Sequence, residues 1–361
     1  MFGIKRIVTA VIALALAAGI FTGCEDKVSN SGLNIEDVPQ AQYNYLTGLP
    51  FEDEEDKSVR PIAVMVDNLK VAMPQSGLSG ADIIYEAVTE GGVTRMMAVY
   101  SDIDSIQRVG PVRSARDRFV ELMLPLNAIY VHIGSSTSAQ RMLNFYSYQD
   151  IDGIYLSFVS FEYDSELAKT KSAEHCWFTN KDLIKAGIEK NGIRTKNNFY
   201  PAFEFVEYGK DARIPKEQRA NTVSFKYSDY ADVSFIYDET TGKYLKNAFG
   251  VPHMDALTNR QLSFDNVFVL TADVGIQEEN GILPDFDMTE GEGYYFYGGM
   301  CEKVRWQKGA PENPLIIYDK NGDVIKVNTG KSYVGLLDED MLDTLTISEE
   351  TQNVSSVERV Q

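Results

Sequence analysis

Two rhythms of apolar and polar residues divide this chain. Residues 62–66, 81–88 and Thr94–Tyr100 are short apolar runs of strand length. Residues 114–124 instead space Phe119, Leu122 and Met123 among charges, which predicts a helix. A strand follows at 128–133, then helices at 138–145 and 181–190. Alternating strands and helices predict an α/β domain over residues 58–220. Beyond residue 220 the runs become shorter and closer: 223–227, 233–237, 244–247, 266–270, 293–297, 301–306, 315–318, 324–327 and 332–336. Turn residues separate them, and Asp319-Lys320-Asn321-Gly322 is the strongest hairpin signal. This spacing predicts a mainly antiparallel β-rich domain over 221–346, with a frayed polar tail at 347–361.

The first residues follow neither rhythm. Lys5 and Arg6 precede an apolar run from Ile7 to Phe21, and Thr22-Gly23-Cys24 leads into Glu25 and Asp26. A basic start, a short apolar core and small residues before a cut describe a secretory signal over residues 1–23. Its core falls short of the roughly 20 apolar residues a membrane span needs. Cys directly after the small residues resembles a bacterial lipobox, which makes Cys24 the expected lipidation site and mature N-terminus. The expected localisation is outside the cytoplasmic membrane, held by acyl chains. Residues 24–57 are rich in Ser, Asn, Gly and acidic side chains and read as a flexible tether.

Composition narrows the function. The formal net charge is −19. That argues against nucleic acid, which requires a basic surface, and against adhesion to anionic lipid headgroups. Three cysteines form no disulfide framework, and Cys176 and Cys301 read as separate buried thiols. No phosphate-cradling Gly-rich loop and no His/Cys metal spacing occurs, so neither cofactor nor metal is implied.

The densest polar segment runs from Arg108 to Asp117, with Arg108, Arg113 and Arg116 against an acidic background and Ser114 and Asp117 beside them. Placed at a helix start, such arginines suit carboxylates, phosphates or sulfates. The same residues also fit an internal ion-pair hub, with Arg113 or Arg116 tied to Asp67, Glu86 or Glu90. Asp67, Asn68, Glu86, Glu90 and Arg95 lie at predicted strand ends, where α/β domains place ligands. Glu86 and Glu90 are candidate acid–base carboxylates, and His175 is a candidate auxiliary group.

The stretches 60–68, 74–86, 94–95 and 108–117 resemble the YerB-type lipoproteins, a two-part family without a settled reaction. Gly110-Pro111-Val112-Arg113-Ser114-Ala115-Arg116 is the most specific part of that resemblance. The C-terminal half fits more loosely, through Tyr244, Gly250, Asp255, Asn266, Trp306 and 330–332. Two departures stand out: Asp67 where Asn is frequent, and Glu174 before His175 where the family pattern has Pro. The resemblance implies an extracellular lipoprotein of Gram-positive type. The expected function is binding of an anionic cell-wall or polymer ligand, or of an envelope protein, in an arginine-rich cleft. The alternative is a wall-glycan hydrolase or lyase using Glu86 or Glu90. Membrane contact is expected only through the N-terminal anchor.

Overall fold

The computed structural model describes residues 43–51, 59–196, 200–277 and 281–351. The signal segment, Cys24 and most of the tether lie outside the described residues. The first strand, β1, is Ile62–Asp67, followed by β2 (Ile83–Val88) and β3 (Thr94–Tyr100). Every residue of these three strands is buried. A strand covered on both faces shows no alternation, which is why these segments read as continuous apolar runs. Helix α1 is Asp117–Met123, then β4 (Ile129–His132), α2 (Thr137–Phe145), β5 (Asp150–Asp152), α3 (Gly153–Ser160) and α4 (Lys181–Asn191). Asn180 caps α4 by accepting from the Asp182 and Leu183 amides, and Gly192 ends it in the left-handed conformation.

The C-terminal region follows as the antiparallel strands β6 (Thr222–Ser228), β7 (Ala231–Asp238) and β8 (Lys243–Ala248). Next come β9 (Asn266–Ala272), β10 (Glu290–Tyr297), β11 (Met300–Gln307), β12 (Ile316–Tyr318), β13 (Ser332–Asp338) and β14 (Thr346–Ser348). An N-terminal α/β region and a C-terminal β-rich region are therefore present. They share one eleven-stranded sheet, ordered β12-β11-β10-β9-β13-β2-β3-β1-β4-β5, with the short strand Gln218–Arg219 beside β11. Strand β13 joins the regions by pairing in parallel with both β9 and β2. The change of rhythm near residue 220 is thus a change of element type and not a break in the sheet. A smaller sheet centred on β8-β7-β6-β14 packs onto the large one through aromatic rings. Phe235 and Phe264 lie 4.8 and 5.5 Å from Tyr333 between ring centroids.

Four local expectations differ from the fold. Part of the tether is packed: Tyr45 and Leu46 are buried in the core, and Tyr45 donates to the Val59 carbonyl at 3.1 Å. The tail begins later than residue 347, because β14 pairs with β6. Residues 324–327 make isolated bridges from Val324 to Tyr318 and from Val327 to Phe205. Helix α1 begins at Asp117 and not at residue 114, with Arg116 extended just before it. The preceding segment is extended instead. Val109, Gly110, Val112 and Ala115 bridge to Thr179, Ser76, Val66 and Ser135 in turn. Those backbone partners outweigh the helical spacing of the side chains.

Candidate functional site

The polar residues picked out along the sequence fold into separate constellations. The first is an ion-pair hub. Arg116 grips Glu90 with two nitrogens, its Nε lying 2.9 Å from Oε2 while Nη2 contacts Oε1. Arg95 donates to Glu90 Oε1 at 2.9 Å and to the Ser114 carbonyl at 2.8 Å. Both arginines are buried. Burial alone would raise the Glu90 carboxyl, but the Arg116 hydrogen bonds and the two guanidinium charges outweigh it and hold it at about 2. Asp117 stands apart, tied to the Arg118 amide at 3.0 Å and the Gln277 side-chain amide at 2.5 Å.

The second constellation joins Asp67, His175 and Arg113. Asp67 Oδ2 lies 2.7 Å from His175 Nδ1 and 3.5 Å from Arg113 Nε. Its other oxygen accepts the Leu69 amide. An ionised carboxylate only accepts, so His175 carries its proton on Nδ1 in this pair. Arg113 also reaches the Glu174 carbonyl at 3.4 Å.

The third is a buried network around Glu86. Oε1 accepts from Asn68 at 2.8 Å and from Thr94 at 2.8 Å. Oε2 accepts from Tyr333 at 2.9 Å and pairs with Lys246 Nζ at 3.1 Å. Lys246 lies 3.1 Å from His253 Nδ1, and His253 Nε2 lies 2.8 Å from Gln75 Oε1. An ammonium only donates, so His253 accepts at Nδ1 and donates from Nε2. Burial and the Lys246 charge push His253 well below its ordinary range, consistent with that neutral tautomer. The network ties β2 to β8.

Glu86 and Glu90 thus have both oxygens occupied.

Arg108 belongs to a fourth place, a cleft of about 450 Å³ between the two regions. Residues 77–80 and 105–109 form one side, and Lys243, residues 257–263 and Lys331 the other. Gly77 sits at φ +84, and a Cβ there would run into the Arg108 carbonyl, so glycine permits this close approach. Asp255 fastens the two sides by accepting the Gly77 and Ser79 amides at 2.9 and 2.7 Å. Arg108, Lys243, Arg260 and Lys331 line the cleft, and among the described residues no Asp or Glu does. The carboxylates paired with two of these cations, Arg108 and Lys243, stand outside the lining. Arg108 is 3.0 Å from Glu162 and 2.7 Å from Asp164, and its guanidinium lies over the Phe178 ring. Lys243 is 2.8 Å from Asp265. Lys331 donates to the Ser79 carbonyl and feels Asp82. Arg260 is exposed and has no side-chain partner among the described residues.

The sequence therefore located one cleft residue, Arg108, and missed Lys243 and Arg260. Lys331 was visible only within a loose family match. The missed residues lie far from the Arg108 segment in sequence, and only the shared sheet brings them together. Cys176 and Cys301 are free and buried. Among the described residues no His/Cys/Asp/Glu group is placed to hold a metal, and no helix is long and apolar enough to cross a membrane.

A mixed sheet shared by an α/β and a β-rich region, with a cationic cleft where they meet, defines a two-part class of protein. Two family models match it: the N-terminal domain of a protein of unknown function, DUF3048, over residues 46–194, and the C-terminal domain of the same family over 222–334. The chain belongs to this family. It is 29% identical over 343 residues to "Putative lipoprotein YerB" of Bacillus subtilis (strain 168), covering 94% of this chain and 97% of that one. A crystal structure of YerB from Bacillus subtilis superposes with a TM-score of 0.72 at 28% identity, over 85% of this chain and 99% of that one.

Proposed function

We propose that this chain is a membrane-anchored envelope lipoprotein that binds an anionic ligand in the cleft between its two regions. The observation that carries this reading is the lining: four cationic side chains and, among the described residues, no carboxylate, in a protein of net charge −19. Anionic groups enter such a concave site with favourable field and meet hydroxyls and amides of Ser79, Thr258 and Gln261 for orientation. The chemistry fits a phosphodiester or carboxylate polymer of the cell wall. Anchoring follows from the lipobox-like Cys24 and the lipoprotein name of the relative, with the outer face of the cytoplasmic membrane as the location. The proposed binding residues shift from the expected arginine cluster to Arg108, Lys243, Arg260 and Lys331. Arg95 and Arg116 act as structure, because Glu90 consumes both.

Thermal unfolding of the full chain with poly(glycerol phosphate) fragments tests this. Ligand at about 100 times its dissociation constant adds roughly 2.7 kcal/mol of stability. The shift shrinks with added salt and disappears in Arg260→Glu, whose side chain holds nothing else in place. An equal shift in wild type and Arg260→Glu refutes the assignment.

A further inference from the structure

Helix α3 carries the most exposed apolar surface among the described residues. Tyr155 is 82% exposed, Phe158 79% and Ile154 64%. Only Gly153, Leu156 and Ser160 face inward on this helix. The close approach of α4 behind it shows at Gly187, where a Cβ would strike the Ser160 hydroxyl. From Gly153 to Phe161 there is no charged residue. Phe158 and Tyr163 extend the patch onto Trp177, with ring centroids 5.5 and 5.0 Å away. Monomeric proteins rarely leave such contiguous apolar side chains in water without a partner.

We infer that α3 is a membrane-docking face that inserts Ile154, Tyr155 and Phe158 into the uncharged interfacial layer of the bilayer to which the chain is tethered. The segment is kinked at Leu156, and the exposed Ile154, Tyr155 and Phe158 on either side of the kink are the aromatic and aliphatic side chains that suit that layer. The acidic net charge leaves an uncharged patch as the route of contact, since anionic headgroups repel the rest of the surface. The tether permits it. Residues 25–42 join Cys24 to Tyr43 and span about 60 Å at full extension. Tyr45 packs near the start of β1, through the Val59 carbonyl, whereas α3 follows the C-terminal end of β5. The six residues of β1 separate those ends by only about 20 Å.

The inference rests on the anchored state proposed above, and the test separates the two. The full chain, purified from membranes, is incorporated into phosphatidylcholine vesicles containing bromine-labelled acyl chains. Trp177 is a native depth probe because it touches the patch, and Trp306 is fully buried and serves as the unquenched reference. The expected result is flotation with the vesicles and quenching of Trp177 emission at least two-fold stronger than in Tyr155→Ser/Phe158→Ser. Adding phosphatidylglycerol weakens the quenching. A chain that floats with unquenched Trp177, or with quenching unchanged in the double variant, overturns the docking face and leaves the anchor standing. A chain that does not float overturns both. Cross-linking of two copies through α3 without quenching assigns the face to self-association and also overturns the inference.

Discussion

Lys246→Met will destabilise the protein by about 3–5 kcal/mol, and adding Glu86→Gln to that variant will restore part of the loss. The reason is the position of the pair. Lys246 and Glu86 are both fully enclosed, 3.1 Å apart, and bridge β8 to β2. Burial pulls the Lys246 ammonium down from its ordinary value and the Glu86 charge opposes that pull. Removing the lysine leaves a carboxylate deep in the protein with hydrogen-bond donors but no counter-charge. Glutamine removes that charge while keeping an oxygen for Asn68 and Thr94. A double variant more stable than the single lysine variant is therefore the signature of an uncompensated charge. Urea unfolding of the four members of this cycle reads it directly. If the double variant is instead the least stable, the packing of the lysine stem, and not the charge, accounts for the loss.

Whether such a network is visible in a sequence depends on which part is asked for. In β8 the residues Tyr244, Lys246 and Ala248 alternate, so they share one face, and all three are buried. The parity already places a lysine among core residues. What it cannot supply is the partner, since Glu86 lies on another strand in the other region. The same limit governs the cleft. Arg108 stands out locally as one of three arginines in a short run. Lys243, Arg260 and Lys331 join it only through the pairing of β13 with β2 and the Asp255 staple. Helix α3 was unreadable for another reason. Its residues GIYLSFVS have no polar face, so periodicity gives no helical signal, and the exposed side is as apolar as the buried one. The helices that were legible, α1, α2 and α4, set apolar residues among polar ones, and α2 and α4 also carry caps, Ser136 for α2 and Asn180 for α4. Helix α1 starts three residues later than its apolar spacing suggested, because Ala115 bridges to Ser135 and the segment before Asp117 is held extended.

That extended segment is why Glu90→Gln should act on stability and on its pH dependence together. Glu90 is the shared counter-ion of Arg95 and Arg116, and its side chain is 31% exposed against 5% and 9% for theirs. Neutralising it leaves two enclosed guanidinium groups facing each other. Burial and the Arg116 charge already pull Arg95 down to about 10 even with Glu90 present. Breaking a fully buried pair costs about 3–5 kcal/mol, and partial exposure of Glu90 reduces the expectation to roughly 2–3 kcal/mol at neutral pH. The pH profile gives the second readout. The folded carboxyl titrates near 2, below its ordinary 4.5. The unfolded chain therefore binds the proton first. The contribution of Glu90 is complete above pH 4.5 and disappears as the pH falls through about 2. In wild type, stability drops across that window by this contribution plus that of other carboxylates. In Glu90→Gln the drop is smaller, so the two curves lie apart at pH 7 and converge toward pH 2. Urea midpoints at pH 7, 4.5 and 2.5 are sufficient to see this. Parallel curves would mean that Arg95 and Arg116 find other partners when Glu90 loses its charge, such as the Ser114 and Ala115 carbonyls they already touch. Convergence would make the arginine-rich segment a structural clamp, with Arg108 left as the member that faces the cleft.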